Sequence, residues 1–457
     1  MARDEPKKRR VKPELPGGFI EFLPAEVLQR RWMLGIMQRV VESFGFLPIE
    51  TPCVERYAVL TGGDPDFRMQ IFRIAGREDA PVALRFDMTV PLARFVAAHA
   101  GELVLPFRRW VAGPVFRAES TQAGRYNEFW QFDFDTVGTT TVMSDAETIA
   151  VIYAIMRALI RDGFCIRVNN RKIVNGLPEY AGFDPAKIND VLRAIDKLDR
   201  DGWESVAREL ERQPDNKFDE AALALSAESV AAIERFVGFR RAGHEEVLAE
   251  AEALLAGSAI AQQGIAELRQ IVGLVRASRV PDSNWAIDLS VMRGLGYYTG
   301  PVFETVVAGA ESMGSVCSGG RFDNLVENFS ATPYPGTGAS VGVDRLFAVM
   351  KALRLLPDTT ATAKVLIAVI DPSLLTRYCE IASSLRAAGI PTEIYGQEGK
   401  SMSDQIAFAL KRGIPFMVIL GGNEAARGTV AIRNLATRSQ EDVNESDLVS
   451  ALTGSLA

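Results

Sequence analysis

The sequence predicts an α+β protein: an antiparallel-sheet domain carrying a helical insertion, followed by a small α/β domain. Three observations carry this reading. Short β-rich runs punctuated by turn residues fill Phe46 to about Gly138. A stretch of about a hundred residues, near 178–280, is instead rich in Ala, Glu, Leu and Arg at helical spacing. Beyond Leu353–Ala363, a Pro- and Thr-containing linker, strand and helix patterns alternate. The organisation expected is therefore a first domain over 1–352, a linker over 353–363 and a second domain over 364–457.

Leu23 to Phe44 reads as a long helix, since Val27, Leu28, Trp32, Leu34, Ile36, Met37, Val40 and Val41 recur mostly at three- and four-residue steps; Gly45 stands where a helix-ending glycine belongs. Phe46–Glu50 is a short strand. Strands are then expected at Ile71–Ile74, Val82–Phe86, Arg109–Val111, Val115–Arg117 and Glu128–Asp135, with the clearest turn at Thr121–Arg125. A helix over Ser144–Asp162 precedes the insertion. Strand signals resume at Trp285–Leu289 and Val302–Val307 and give way to a glycine-dense stretch, with a helix from near Gly342. In the second domain Val365–Ile370, Thr392–Tyr395 and Phe416–Leu420 are strands of a largely parallel sheet, with helices at Ser373–Ala388 and Met402–Arg412. Thr429–Ile432 and a last helix after Asn444 complete it.

Composition removes several classes of function. Lys+Arg 51 against Asp+Glu 58 gives a formal charge of −7, which excludes a bulk-basic nucleic-acid coat but leaves room for a local basic groove. Cys53, Cys165, Cys317 and Cys379 have neither zinc-ribbon nor disulfide-scaffold spacing, and fit a reducing, cytoplasmic setting. With two histidines, His99 and His244, a His-rich metal site and an HExxH protease are excluded, and no residue is assigned to a metal. No apolar run approaches the ~18 residues of a membrane-spanning helix, so no membrane association is expected. The Lys7–Arg10 cluster lacks a following apolar stretch and reads as a solvated tail.

Charged residues on the first domain's strands are the informative feature. Along a strand side chains alternate, so Arg85, Asp87 and Thr89 would share one face, and Gln131, Asp133 and Asp135 another, opposite Phe132 and Phe134. A ligand-binding face explains this pattern, and so does a sheet with one face in water. Arg117, with Glu119 two positions on, suits bidentate contact with carboxylate or phosphate. Arg293 lies among Gly294, Gly296 and Gly300 beside Tyr297 and Tyr298, and Arg345 follows Gly338 and Gly342 on the first turn of a helix. There is no GxGxxG and no GxxxxGK[ST], so a bound nucleotide must rest on arginines of an antiparallel sheet.

These residues stand in segments that resemble a class II aminoacyl-tRNA synthetase, and within that class the histidyl-tRNA synthetase family. Gly45–Glu55 is similar to motif 1, Phe116–Glu119 through Phe129–Asp133 to motif 2, and Gly338–Arg345 to motif 3. Sharper are Leu84–Arg94 (LRFDMTVPLAR), Arg293–Gly300 (RGLGYYTG) and Gly319–Leu325 (GGRFDNL), and Val365 onwards resembles the anticodon-binding domain of these enzymes. The sequence departs from the family at Gly296, which replaces an acidic residue, at Asn127, which replaces an arginine, and at Ser120–Thr121, where Arg-Pro is usual.

The resemblance implies a class II catalytic core and a homodimer that activates L-histidine with ATP, Mg²⁺ bridging phosphate oxygens, and charges tRNA(His). It implies that Arg117 and Arg293 are catalytic, that Asp87, Thr89, Arg117, Gln131, Asp135, Arg293, Tyr297 and Tyr298 bind histidine, and that Arg117, Glu119 and Arg345 bind ATP. The alternative from another class is a silent paralogue serving as regulatory subunit of ATP phosphoribosyltransferase in histidine biosynthesis. Such chains usually lack the C-terminal domain and erode the ATP-binding arginines, whereas Arg117, Arg293 and Arg345 all persist here.

Overall fold

Strict alternation of buried and half-buried residues marks Phe107–Phe116 as one ten-residue strand. It lies near one side of the main sheet in a computed structural model that describes residues 11–62, 70–77, 79–118, 126–214, 222–238, 243–292 and 297–456. In chain order the described strands are β1 (Leu47–Pro48), β2 (Val54–Arg56), β3 (Val82–Leu84), β4 (Phe107–Phe116), β5 (Glu128–Val137), β6 (Phe164–Asn170), β7 (Trp285–Ile287), β8 (Pro301–Val307), β9 (Cys317–Phe322) and β10 (Gly336–Gly342). The main sheet runs β1-β4-β5-β10-β9-β8-β6-β7 and is antiparallel except for its two outermost pairings; β2 and β3 form a separate antiparallel pair. The fold is the α+β class expected.

Two expected strands, Arg109–Val111 and Val115–Arg117, are thus a single one. Pro114 does not interrupt it, because even-numbered residues of β4 turn their backbone polar groups away from β5. On that side Pro114 O accepts from Arg85 Nε at 2.9 Å and Phe116 N–H donates to Arg85 O, so the missing N–H costs no sheet hydrogen bond. Ile71–Ile74 makes only an isolated bridge, Arg73 to Ala83. Strand β6 carried no expectation, and the glycine-dense stretch turns out to contain β9 and β10, central strands of the sheet.

The first helix, α1 (Pro24–Ser43), buries Met33, Met37 and Val41 at four-residue steps, and Gly45, at φ +82°, ends it while Phe46 N–H returns to Val41 O. Helix α2 (Tyr57–Thr61) and α3 (Thr89–His99) follow, then α4 (Val142–Leu159), whose Asp145 reaches back to the sheet. Asp145 takes Arg321 Nη2 at 2.6 Å and Nε at 3.0 Å, with both side chains buried, so the arginine of GGRF ties β9 to α4 rather than facing a ligand. The helices of the insertion region run from Leu177 to Ala277. Phe132 and Phe134 point away from the polar face of β5 and pack on Trp110 (5.4 Å between centroids) and Phe46 (5.7 Å).

The chain divides into two units, Met1–Glu21 with Met33–Leu356 and Phe22–Trp32 with Pro357–Ala457. The second contains β11 (Val365–Ile367), β12 (Thr392–Ile394), β13 (Phe416–Ile419), β14 (Thr429–Asn434) and β15 (Gln440–Asn444) in the order β12-β11-β13-β14-β15. Only the pairs of β11 with β12 and β13 are parallel; β13–β14 and β14–β15 are antiparallel. The sheet expected to be largely parallel is therefore mixed. Its second half is a meander, in which the Arg433–Gln440 connection returns the chain directly instead of through a crossover helix.

Candidate functional site

Strand β5 organises the site. Phe129, Gln131, Asp133 and Asp135 alternate onto one face, spanning about 20 Å at about 3.3 Å per residue. Both faces of the strand are buried, which removes the reading of a face in water: Gln131, Asp133 and Asp135 are as enclosed as Phe132 and Phe134.

At one end of this line lies an open cleft lined by Arg117, Phe129, Gln131, Ser340, Asp344 and Arg345, among others. Arg117 sits with its guanidinium 5.1 Å over the Phe129 ring and donates from Nε to Phe86 O at 3.0 Å. Arg345, on the first turn of the helix Val343–Ala352, is aimed by Nη1 donating to Ser315 O at 2.7 Å. Asp344 does not line up as a ligand group: its Oδ2 accepts from Trp130 N–H at 2.6 Å and locks the helix start to β5. Gln131 Nε2 donates to Ser340 Oγ at 2.8 Å, leaving Oε1 without a hydrogen-bond partner among the described residues.

At the other end is a buried carboxylate cluster. Asp135 lies 2.6 Å (Oδ2) from Arg109 Nη2. The contact is close but the N–H is not aimed at the oxygen, which has no hydrogen bond among the described residues, so we read it as a charge pair rather than a directed bond. Burial pushes the Asp135 carboxyl up to about 7, opposed by Arg109 and reinforced by Asp133 and Asp87. Asp87 is likewise pushed up to about 7 by burial, against its bond from Val90 N–H and the charge of Arg117. Asp133 moves in the same direction for the same reason. Tyr297 Oη donates to Asp87 Oδ2 at 3.5 Å and hydrogen-bonds Thr89; Tyr298 stands edge-on to it, 5.0 Å between centroids. Desolvation raises both phenols above their ordinary range, so they stay protonated donors.

Of the residues expected to carry function, the structure brings Arg117, Gln131 and Arg345 to the cleft and gathers Asp87, Thr89, Asp135, Tyr297 and Tyr298 in the adjoining cluster. Glu119 and Arg293 lie outside the described residues, as do Gly296 and the turn at Thr121–Arg125. One expectation about faces is corrected. Arg85, Asp87 and Thr89 do not alternate along a strand, because β3 ends at Leu84 and Thr89 opens α3. Arg85 instead donates to Thr51 O (2.8 Å) and Pro114 O, bracing the loop that delivers Asp87. Arg109 and Ser340 were missed. The signal for Arg109 was available: an arginine between Phe107 and Val111 at the inward positions of an alternating strand.

Residues 18–346 match the family described as Histidyl-tRNA synthetase, and residues 364–454 match an Anticodon binding domain. A histidine–tRNA ligase of Rhodopirellula baltica is 40% identical over 434 residues, 95% of this chain and 96% of that protein. One from Wolinella succinogenes is 39% identical over 433 residues, 94% and 96% of the two chains. The crystal structure of histidyl-tRNA synthetase from Nostoc superposes with a TM-score of 0.83 at 33% identity, covering 97% of this chain and 99% of that one. On a match spanning most of both its units, the chain belongs to the histidyl-tRNA synthetase family.

Proposed function

We propose that the protein is a histidine–tRNA ligase that joins histidine to ATP's α-phosphate, releasing pyrophosphate, and then transfers the histidyl group to tRNA(His). The observation that carries this reading is the layout of β5, which runs from an arginine-lined cleft into a buried cluster of carboxylates and tyrosines. The nucleotide is assigned to the first end and the amino acid to the second, which puts the reacting groups between them.

In this reading Arg117 bridges the histidine carboxylate and the α-phosphate, two anions that repel in water, and aligns attack on phosphorus. Arg293 approaches the α-phosphate from the opposite side and stabilises charge in the transition state; Arg345 holds the outer phosphates and Glu119 the adenine side. Asp87, Thr89 and Gln131 receive the substrate's amino and carboxylate groups. Asp135 and Tyr298 pair with the two imidazole nitrogens, one accepting and one donating, with Tyr297 beside them. An amino acid without that pair of nitrogens would strand a buried polar group at about 1–3 kcal/mol.

Mg²⁺ would enter with the nucleotide and neutralise phosphate charge beside Arg117 and Arg345. The catalytic core is assigned to 1–352, with its helical insertion near 178–280, the linker to 353–363 and the anticodon-binding domain to 364–457. A cytoplasmic homodimer with motif 1 at its interface completes the proposal. Histidine-dependent pyrophosphate–ATP exchange, run beside the other amino acids, tests it; exchange with another amino acid, or with none, would reject it.

A further inference from the structure

Arg109 is fully buried, on the second strand of the sheet, and its environment differs from that of the other buried arginines of the first unit. Arg85 is satisfied by backbone carbonyls, Arg167 by Asp288, Glu304 and Ser290, and Arg321 by Asp145. Among the described residues Arg109 hydrogen-bonds Met88 O through Nη2 at 3.2 Å and pairs with Asp135 Oδ2 through Nη2 at 2.6 Å. Its Nε and Nη1 are buried with no hydrogen-bond partner among the described residues. An arginine kept in the sheet at that cost needs a reason.

The reason lies in what faces Asp135. Arg109 comes from β4, directly opposite it in register; Asp133 from its own strand; Asp87 from the loop before α3; Tyr298 from the segment before β8. From β10 comes Gly338, with no side chain at all. Three buried carboxylates repel one another here, and Arg109 is the leading charge opposing burial for both Asp135 and Asp133.

We propose that Arg109 is a positioning residue for side-chain recognition, holding the Asp135 carboxylate as the acceptor for the substrate's imidazole N–H. The inference rests on the reading of Asp135 as an imidazole partner. Removing the guanidinium lets burial and the neighbouring carboxylates push the Asp135 carboxyl above its place at about 7, so at neutral pH it goes from partly to largely protonated and the acceptor becomes a donor facing another N–H. Each unit of upward displacement removes about tenfold of the carboxylate form below its midpoint.

The test is the histidine KM in pyrophosphate–ATP exchange, measured from about pH 6 to 9 on the full-length wild type, Arg109→Met, Arg109→Lys and Asp135→Asn. Expressing each variant as a ratio to wild type cancels the titration of histidine itself. Arg109→Met should raise the histidine KM about tenfold or more near pH 7, with the ratio shrinking as the pH rises and the ATP KM nearly unmoved. Arg109→Lys, which keeps the charge, should keep the wild-type pH profile. A KM ratio for Arg109→Met that does not change with pH, or a loss confined to kcat, would overturn the proposal. Should Arg109→Met fail to fold, Arg109→Gln, polar but uncharged, takes its place with the same expected rise in histidine KM and the same overturning results. Asp135→Asn separates the two layers. If it leaves the histidine KM unchanged, the reading of Asp135 fails; if it raises the KM while Arg109→Met does not, the Arg109 inference alone fails.

Discussion

Gly338 and Asp135 stand directly opposite one another on β10 and β5, and a Cβ on Gly338 would fall 2.2 Å from Asp135 Oδ1 and 2.4 Å from Phe134 O. One of those atoms is backbone, so no rotamer change relieves the clash. The first glycine of the motif 3 segment is there because the facing aspartate occupies the space a side chain would need.

Gly338→Ala should therefore act on histidine before it acts on the nucleotide. The sheet must open locally, at a cost of about 1–3 kcal/mol of stability, and the Asp135 carboxylate must leave its place. The expected outcome is a histidine KM raised by much more than the ATP KM, together with a lower melting temperature. Equal loss for both substrates in exchange assays would mean that the sheet as a whole is disturbed.

Asp87 gives a pH dependence. Its carboxyl stands at about 7 in the fold against 3.8 when unperturbed. Between those values the native state holds a proton that the unfolded chain has released, so stability from this group is present in full below about pH 4 and is lost as the pH rises to about 7. Asp87→Asn removes the titration but keeps an acceptor for Val90 N–H. The melting temperature of the variant relative to wild type should thus rise between pH 4 and pH 8, without substrates. A difference that stays flat across that range would mean that Asp87 is not held protonated.

Which parts of this were legible in sequence follows from period and charge. The polar line Gln131, Asp133, Asp135 opposite Phe132 and Phe134 could be read from alternation alone, and so could the run of α1 and the insertion helices. Strands β9 and β10 could not, because glycine has poor strand propensity and Gly319, Gly320, Gly336 and Gly338 read as loop punctuation. Their logic is tertiary: added Cβ atoms would meet Gly338 O, Pro301 O, the Phe322 ring and Asp135 respectively. Arg85 and Arg321 show the converse. They stand in family signatures, yet their partners are Thr51, Pro114 and Asp145, residues distant in sequence that only the fold brings within reach.

Arg321 and Asp145 form a buried pair, and breaking one side of it leaves an uncompensated charge. Arg321→Ala should cost about 3–5 kcal/mol, while Arg321→Met combined with Asp145→Leu should cost much less. Chemical denaturation of the three proteins measures this. If the double variant is no more stable than the single one, the pair is not the main role of Arg321.

Arg293→Ala should nearly abolish adenylate formation while leaving histidine binding and the dimer largely intact, since its charge is assigned mainly to the transition state even though the resemblance also sets it beside the histidine. Exchange kinetics beside equilibrium histidine binding distinguish the possibilities. Parallel loss of both would move Arg293 into ground-state binding.

Truncation after Pro357 separates activation from transfer. Every arginine assigned to the site lies at Arg345 or earlier, so the shortened chain should still catalyse histidine-dependent exchange. Transfer to tRNA should fall much further, because the lost domain is the one assigned to the anticodon. That domain carries nine Lys/Arg against ten Asp/Glu from Lys364 onwards, so it has no broad electrostatic hold on RNA and must depend on a few placed residues. The fold adds a structural expectation. Phe22–Trp32, the residues that include the first turns of α1, group with Pro357–Ala457, nearly all of which the truncation removes. Cutting the chain strips that segment of its packing, so limited proteolysis should find new cleavage between residues 22 and 32 while the remainder resists. Exchange, tRNA charging and proteolysis on one preparation decide the matter. Equal retention of exchange and charging would sink the anticodon assignment, and loss of exchange with digestion throughout would show that the catalytic unit does not stand without its partner domain.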